Sequence, residues 1–261
     1  LKLALAPGLP HCCPQPQQGS MPTLPFNNHD ACGDTILALG GAELQVVNTV
    51  TNLVFVWAGA PLALSASSTE ARQSGWLLAT VGWFSALYHA TSSWGGFLID
   101  IASMAVWASH LLSCFQVACH SLGSCVLLPV RDGELSGPSR VVAAAICCIC
   151  AVSAPFLAFE VFDASPVTVW DIWANSFLVL IIAAALPPLL SLWKAGLLLP
   201  FMWKVVAAIA SILLGVVFTQ LIHVLCVPGH FSAFPLHSIW HVCAAVSARL
   251  TVSILDGVLA M

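Results

Sequence analysis

Apolar residues in this chain run in blocks of about twenty, separated by short polar stretches. The pattern predicts seven membrane-crossing helices at roughly 43–66, 75–93, 97–118, 139–159, 169–193, 199–226 and 236–259. Each block is close to the ~20 residues an α-helix needs to cross a hydrocarbon layer of ~30 Å. The blocks are continuous Leu, Val and Ala, without alternation and without a regular turn rhythm, which excludes a membrane β-barrel. The expected fold class is therefore an all-α integral membrane protein, a seven-transmembrane helix bundle. Val130 to Arg140, with Asp132, Gly133, Glu134, Gly137 and Pro138, interrupts the pattern as a loop.

The amino-terminal stretch breaks the rhythm in another way. Pro7, Pro10, Pro14, Pro16, Pro22 and Pro25 fall among Gln, Asn and the Cys12/Cys13 pair, so residues 1–29 are expected to form a disordered tail ahead of one bundle domain at 30–261. Leu3 to Ala6 is too short for a signal-peptide core, and the first span would act as its own targeting signal. Met21 is a candidate start, and no internal repeat is visible.

Composition sets the solvent. With 59% hydrophobic and 7% charged residues, no stretch remains to build a water-soluble domain. A net charge of −4 implies no nucleic-acid partner. The basic residues sort by loop: Arg72 follows span one, Arg131 and Arg140 follow span three, and Lys194 and Lys204 bracket the turn after span five. The positive-inside rule makes those loops cytosolic, which places the N-terminus on the lumenal side and the C-terminus in the cytosol. Arg249 departs from this order because it falls inside span seven, where snorkelling or a shift of the helix end would accommodate it.

Against this background a few polar residues stand out. Ser85 and His89 near the end of span two, Asp100 near the start of span three, and His237 with His241 at the start of span seven all fall in one lumenal layer. Polar groups are costly in hydrocarbon and mark function when they gather. Positions i and i+4 share a helix face, so each pair points two polar groups in one direction. Three imidazoles leave a fourth tetrahedral position open, the pattern of a catalytic zinc. His110 and His223 have no comparable partner and read as buried hydrogen-bonding groups, and Cys147, Cys148 and Cys150 read as small apolar residues. The ten tryptophans read as interfacial anchors and packing.

Ser85-x3-His89, Asp100 and His237-x3-His241 together resemble the alkaline ceramidases, part of a superfamily of seven-helix metal-dependent hydrolases that also holds the adiponectin and progestin receptors. Gln45-Val-Val-Asn-Thr-Val-Thr-Asn52 is similar to that family's E-F-W-N-T-x-S-N, and Asp30-Ala-Cys32 to its D-W-C. The resemblance covers residues 30–260. It implies zinc on His89, His237 and His241, with Asp100 as base toward the attacking water and Ser85 assisting at the metal or the developing oxyanion. The implied reaction is hydrolysis of ceramide to sphingoid base and fatty acid, in a multi-pass protein of the endoplasmic reticulum or Golgi. It also implies a calcium site beside the zinc. Asp30 matches that site, Gly33 and Gln45 stand where the family places carboxylates, Ala31 replaces its Trp, and Asp34 and Glu43 are nearby acidic substitutes. A link between the N-terminal segment and the bundle is implied as well. Cys32 and Cys226 fall on the side assigned to the oxidising lumen, either as a disulfide or as two free thiols. The alternatives are another lipid hydrolase, acting on an ester or a glycosylphosphatidylinositol-anchor lipid, and a non-enzymatic seven-helix receptor or metal-binding membrane protein.

Overall fold

A computed structural model describes residues 36–39, 42–121, 186, 189–225 and 236–261. A short antiparallel hairpin comes first, β1 (Ile36–Leu39) with β2 (Ala42–Gln45), registered so that Leu39 faces Ala42 and Ile36 faces Gln45. Gly40-Gly41 lies between them, the dipeptide a two-residue hairpin turn favours. Among the described residues five long helices follow: α1 (Val46–Ser65), α2 (Thr69–Thr91), α3 (Trp94–Ser121), α4 (Met202–Leu225) and α5 (Leu236–Leu259). They correspond to the first, second, third, sixth and seventh expected spans. The fourth span, and the fifth through residue 185, lie outside the described residues, as do the tail 1–29, Asp30, Cys32, Asp34 and Cys226.

Among the described residues, four helical segments are long and apolar enough to cross a membrane: Val46–Ser65, Gly95–Ala118, Leu199–Thr219 and Leu236–Leu259. They indicate a multi-pass membrane protein. The outward side chains agree, since Trp57, Leu64, Trp203 and Leu213 are large, apolar and exposed, a surface that lipid accommodates and water does not.

α2 is absent from those four because its sequence is more polar, with Glu70, Arg72, Gln73, Ser74, Ser85 and His89. Position compensates for composition, because α2 packs closely on α1 through small residues. A Cβ on Gly59 would lie 2.5 Å from the Gly75 carbonyl oxygen, and one on Gly75 would lie 2.5 Å from the Ala63 nitrogen. Only glycine allows the two backbones to approach so nearly. Ser74, Gly75, Leu78, Ser85 and His89 are buried along the resulting seam.

The far end of the bundle is pinned by Asp256. Its carboxylate accepts from the Ser67 and Ser68 amides at 3.1 and 2.8 Å and from Ser68 Oγ at 3.0 Å. Ser68 Oγ in turn accepts from the Ala71 amide and caps the N-terminus of α2. Lys204 Nζ donates to Ser253 Oγ at 2.7 Å, so the start of α4 meets the last turns of α5. Between this end and the histidines lies an apolar core that includes Phe55, Ala58, Leu78, Ala245 and Ala248.

Arg249 sits inside α5, which continues to Leu259, so a shifted helix end does not account for it. Its guanidinium lies over the Trp57 ring at 4.9 Å from the centroid, a cation–π contact that shelters the charge against α1.

Candidate metal centre

The histidines are brought together by chain direction. Gln45 ends the hairpin where α1 begins, α1 runs away and α2 returns, so His89 in the last turn of α2 comes level with the start of α1. α3 and α5 then leave from the same end, with Asp100 in the second turn of α3 and His237 and His241 in the first two turns of α5.

The three rings form one cluster. Centroids are 5.3 Å apart for His89 and His237, 5.2 Å for His89 and His241, and 4.5 Å for His237 and His241. One ring nitrogen from each lies within 4.8 Å of the others. Zinc–nitrogen bonds of about 2.0–2.1 Å in a tetrahedron put ligand nitrogens roughly 3.3–3.4 Å apart, a small side-chain adjustment away. His89 and His241 are buried and His237 is partly so. The cluster can hold a metal ion.

The neighbours of the rings fix which nitrogens are available. Thr51 Oγ1 lies 3.1 Å from His241 Nδ1, and the Thr51 hydroxyl donates to the Val47 carbonyl at 2.8 Å. With its proton so directed, Thr51 can accept from His241 Nδ1, an arrangement that leaves Nε2 of His241 as a lone pair. His89 Nδ1 lies 2.7 Å from Gln45 Oε1, an oxygen that can only accept. His89 thus also keeps Nε2 for a ligand. This agrees with the usual design of metal-binding histidines, in which the second ring nitrogen is held by an outer hydrogen bond.

Asp100 and Ser85 form a second, adjoining unit. Both are buried, and Ser85 Oγ donates to Asp100 Oδ2 at 3.2 Å. Ser85 lies one turn before His89 on the buried seam of α2. The Asp100 carboxylate is outside the set of mutually close ligand atoms.

Among the other residues singled out from sequence, His110 does have a partner one turn on, Cys114 Sγ at 3.5 Å from its Nε2. Only the backbone of His223, in α4, is described, and the backbone of Glu43 lies in β2. Gln45 Oε1 faces His89 Nδ1 at 2.7 Å and accepts from Asn48 Nδ2 at 3.0 Å.

Sequence reasoning gave no role to Asn48, Thr51 or Ser238, yet Ser238 Oγ donates to Asn48 Oδ1 at 2.6 Å and completes the polar layer around the rings. One signal was present: Gln45, Asn48 and Asn52 fall at i, i+3 and i+7, a single helical face. No protein-family model and no curated protein matches this chain.

Proposed function

We propose that this chain is a zinc-dependent intramembrane amidase of the alkaline-ceramidase type, hydrolysing ceramide to sphingoid base and fatty acid. The observation that carries the reading is the buried His89/His237/His241 cluster with the Ser85–Asp100 pair one helical turn away. The likeness to that family rests on these residues and on the Gln45–Asn52 segment.

Three neutral imidazoles suit zinc, which when bound lowers the pKa of water to about 7 and polarises a carbonyl. His89, His237 and His241 would hold it. Asp100 takes a proton from the attacking water and later returns one to the leaving sphingoid amine. Ser85 steadies the Asp100 carboxylate through its hydroxyl and faces the layer where the carbonyl oxygen gains charge. The acyl and sphingoid tails lie among apolar side chains, which keeps the amide at the depth of the polar layer.

Three of the four Lys and Arg residues among those described support a lumenal site, Arg249 within α5 being the exception. Arg72 opens α2, Lys204 opens α4 beside Ser253, and Lys194 precedes it, all at the end away from the histidines. With that end cytosolic, the site faces the lumen of the endoplasmic reticulum or Golgi and the C-terminus faces the cytosol. A calcium site would draw on Asp30, Asp34 and Glu43.

The test is hydrolysis of a long-chain ceramide by purified protein with and without chelator, run beside a lipid ester of the same chain length. Chelator-sensitive amide cleavage supports the reading. Ester cleavage alone moves the assignment to another lipid hydrolase, and metal binding without any turnover to a receptor or metal-binding protein.

A further inference from the structure

Gln45 is the N-cap residue of α1, yet its side chain makes no capping bond to the helix. It points across the bundle instead and is 1% exposed. Its Oε1 receives two hydrogen bonds, from His89 Nδ1 at 2.7 Å and from Asn48 Nδ2 at 3.0 Å. Asn48, also fully buried, has its Oδ1 occupied by the Ser238 hydroxyl at 2.6 Å. A directed chain therefore runs from Ser238 on α5, through Asn48 on α1 and Gln45 at the hairpin, to His89 on α2.

An amide can be turned over, and the two orientations have opposite consequences. With Oε1 toward His89, the ring keeps its hydrogen on Nδ1 and offers Nε2 as a lone pair. With Nε2 of Gln45 toward His89, the ring would have to accept at Nδ1, and its own hydrogen would sit on the nitrogen that faces His237 and His241. The second arrangement excludes a metal. Asn48 decides between them, because its Nδ2 can only donate and so calls for the Gln45 oxygen. In the structure the Ser238 hydroxyl donates to Asn48 Oδ1, and Asn48 Nδ2 is the atom that faces Gln45.

We propose that Gln45 is a positioning residue for the metal centre, holding, with its partner Asn48, the tautomer of His89 that can bind a metal. This rests on the reading of His89, His237 and His241 as metal ligands. A carboxylate at position 45 would need no such selection, since it accepts in either orientation. The neutral amide makes the centre depend on Asn48.

The dependence can be measured on the full-length protein in detergent, by zinc competition against a chromophoric chelator and by the visible spectrum of the cobalt(II)-substituted protein. Outer hydrogen-bond partners of metal-binding histidines typically change metal affinity about 10–100-fold, and Gln45→Leu is expected to weaken zinc in that range while Gln45→Glu retains it. Asn48→Ala is expected to weaken zinc about tenfold when Gln45 is present and by less than about twofold in the Gln45→Glu background. A packing defect at position 48 would not be repaired by a carboxylate at position 45. Equal losses from Asn48→Ala in both backgrounds would overturn the proposal. So would equal affinities for Gln45→Leu and Gln45→Glu, a comparison that stands even where Asn48→Ala does not fold. Wild-type protein that takes up neither zinc nor cobalt would instead overturn the metal reading on which the proposal rests.

Discussion

Thr51 and His241 are 190 positions apart in the chain, yet Thr51 Oγ1 lies 3.1 Å from His241 Nδ1. The contact joins the second turn of α1 to the second turn of α5 and orients one ring of the three-histidine cluster. Thr51→Val keeps the shape and removes the acceptor. Zinc affinity is expected to fall about tenfold while the protein stays folded, since an outer-sphere partner is lost and no ligand is. Chelator competition on purified protein checks this, and unchanged affinity would show that Thr51 does not orient the ring.

At the opposite end, Asp256 holds the turn between α1 and α2 with three accepted hydrogen bonds. Asp256→Ala leaves two backbone amides and the α2 cap without their acceptor. The expected loss is about 2 kcal/mol, read as a lower thermal midpoint in detergent with metal content unchanged.

Much of the site is legible in the sequence because hydrocarbon makes polar residues conspicuous. His89, Asp100, His237 and His241 stand out against Leu and Val, and helical spacing pairs them. Gln45, Asn48, Thr51 and Ser238 are less visible. Such residues are common at helix starts, and their partners lie 44 to 190 positions away, set by how the helices pack. The limits of the elements show the same division. The apolar block begins the second span near 75, whereas α2 starts at Thr69, because the Ser68 cap and a polar first turn extend the helix beyond its hydrophobic stretch. The hairpin ahead of α1 escaped the hydropathy pattern because each of its strands has only four residues.

Asp100 is expected to act in chemistry and not in metal retention. Its carboxylate is bound by Ser85 and lies outside the close set of ligand nitrogens. Asp100→Asn should keep its zinc and lose ceramide hydrolysis by at least about 10²-fold, the lower range for a positioned general base. Near-normal turnover in this variant would assign the proton transfer to another group.

The orientation has a separate check. With Arg72, Lys194 and Lys204 at the end away from the histidines, a tag before the first span should be protected from protease in sealed microsomes and a tag after Met261 should be cut. The reverse pattern would turn the site toward the cytosol and leave its geometry intact.

Elemental analysis of purified protein tests the proposal that His89, His237 and His241 together bind one zinc. The wild-type chain is expected to carry about one zinc, and each of His89→Ala, His237→Ala and His241→Ala to lose it, because a three-imidazole site that gives up one ligand no longer encloses the ion. Wild-type protein without zinc, or full zinc in all three variants, would contradict the account.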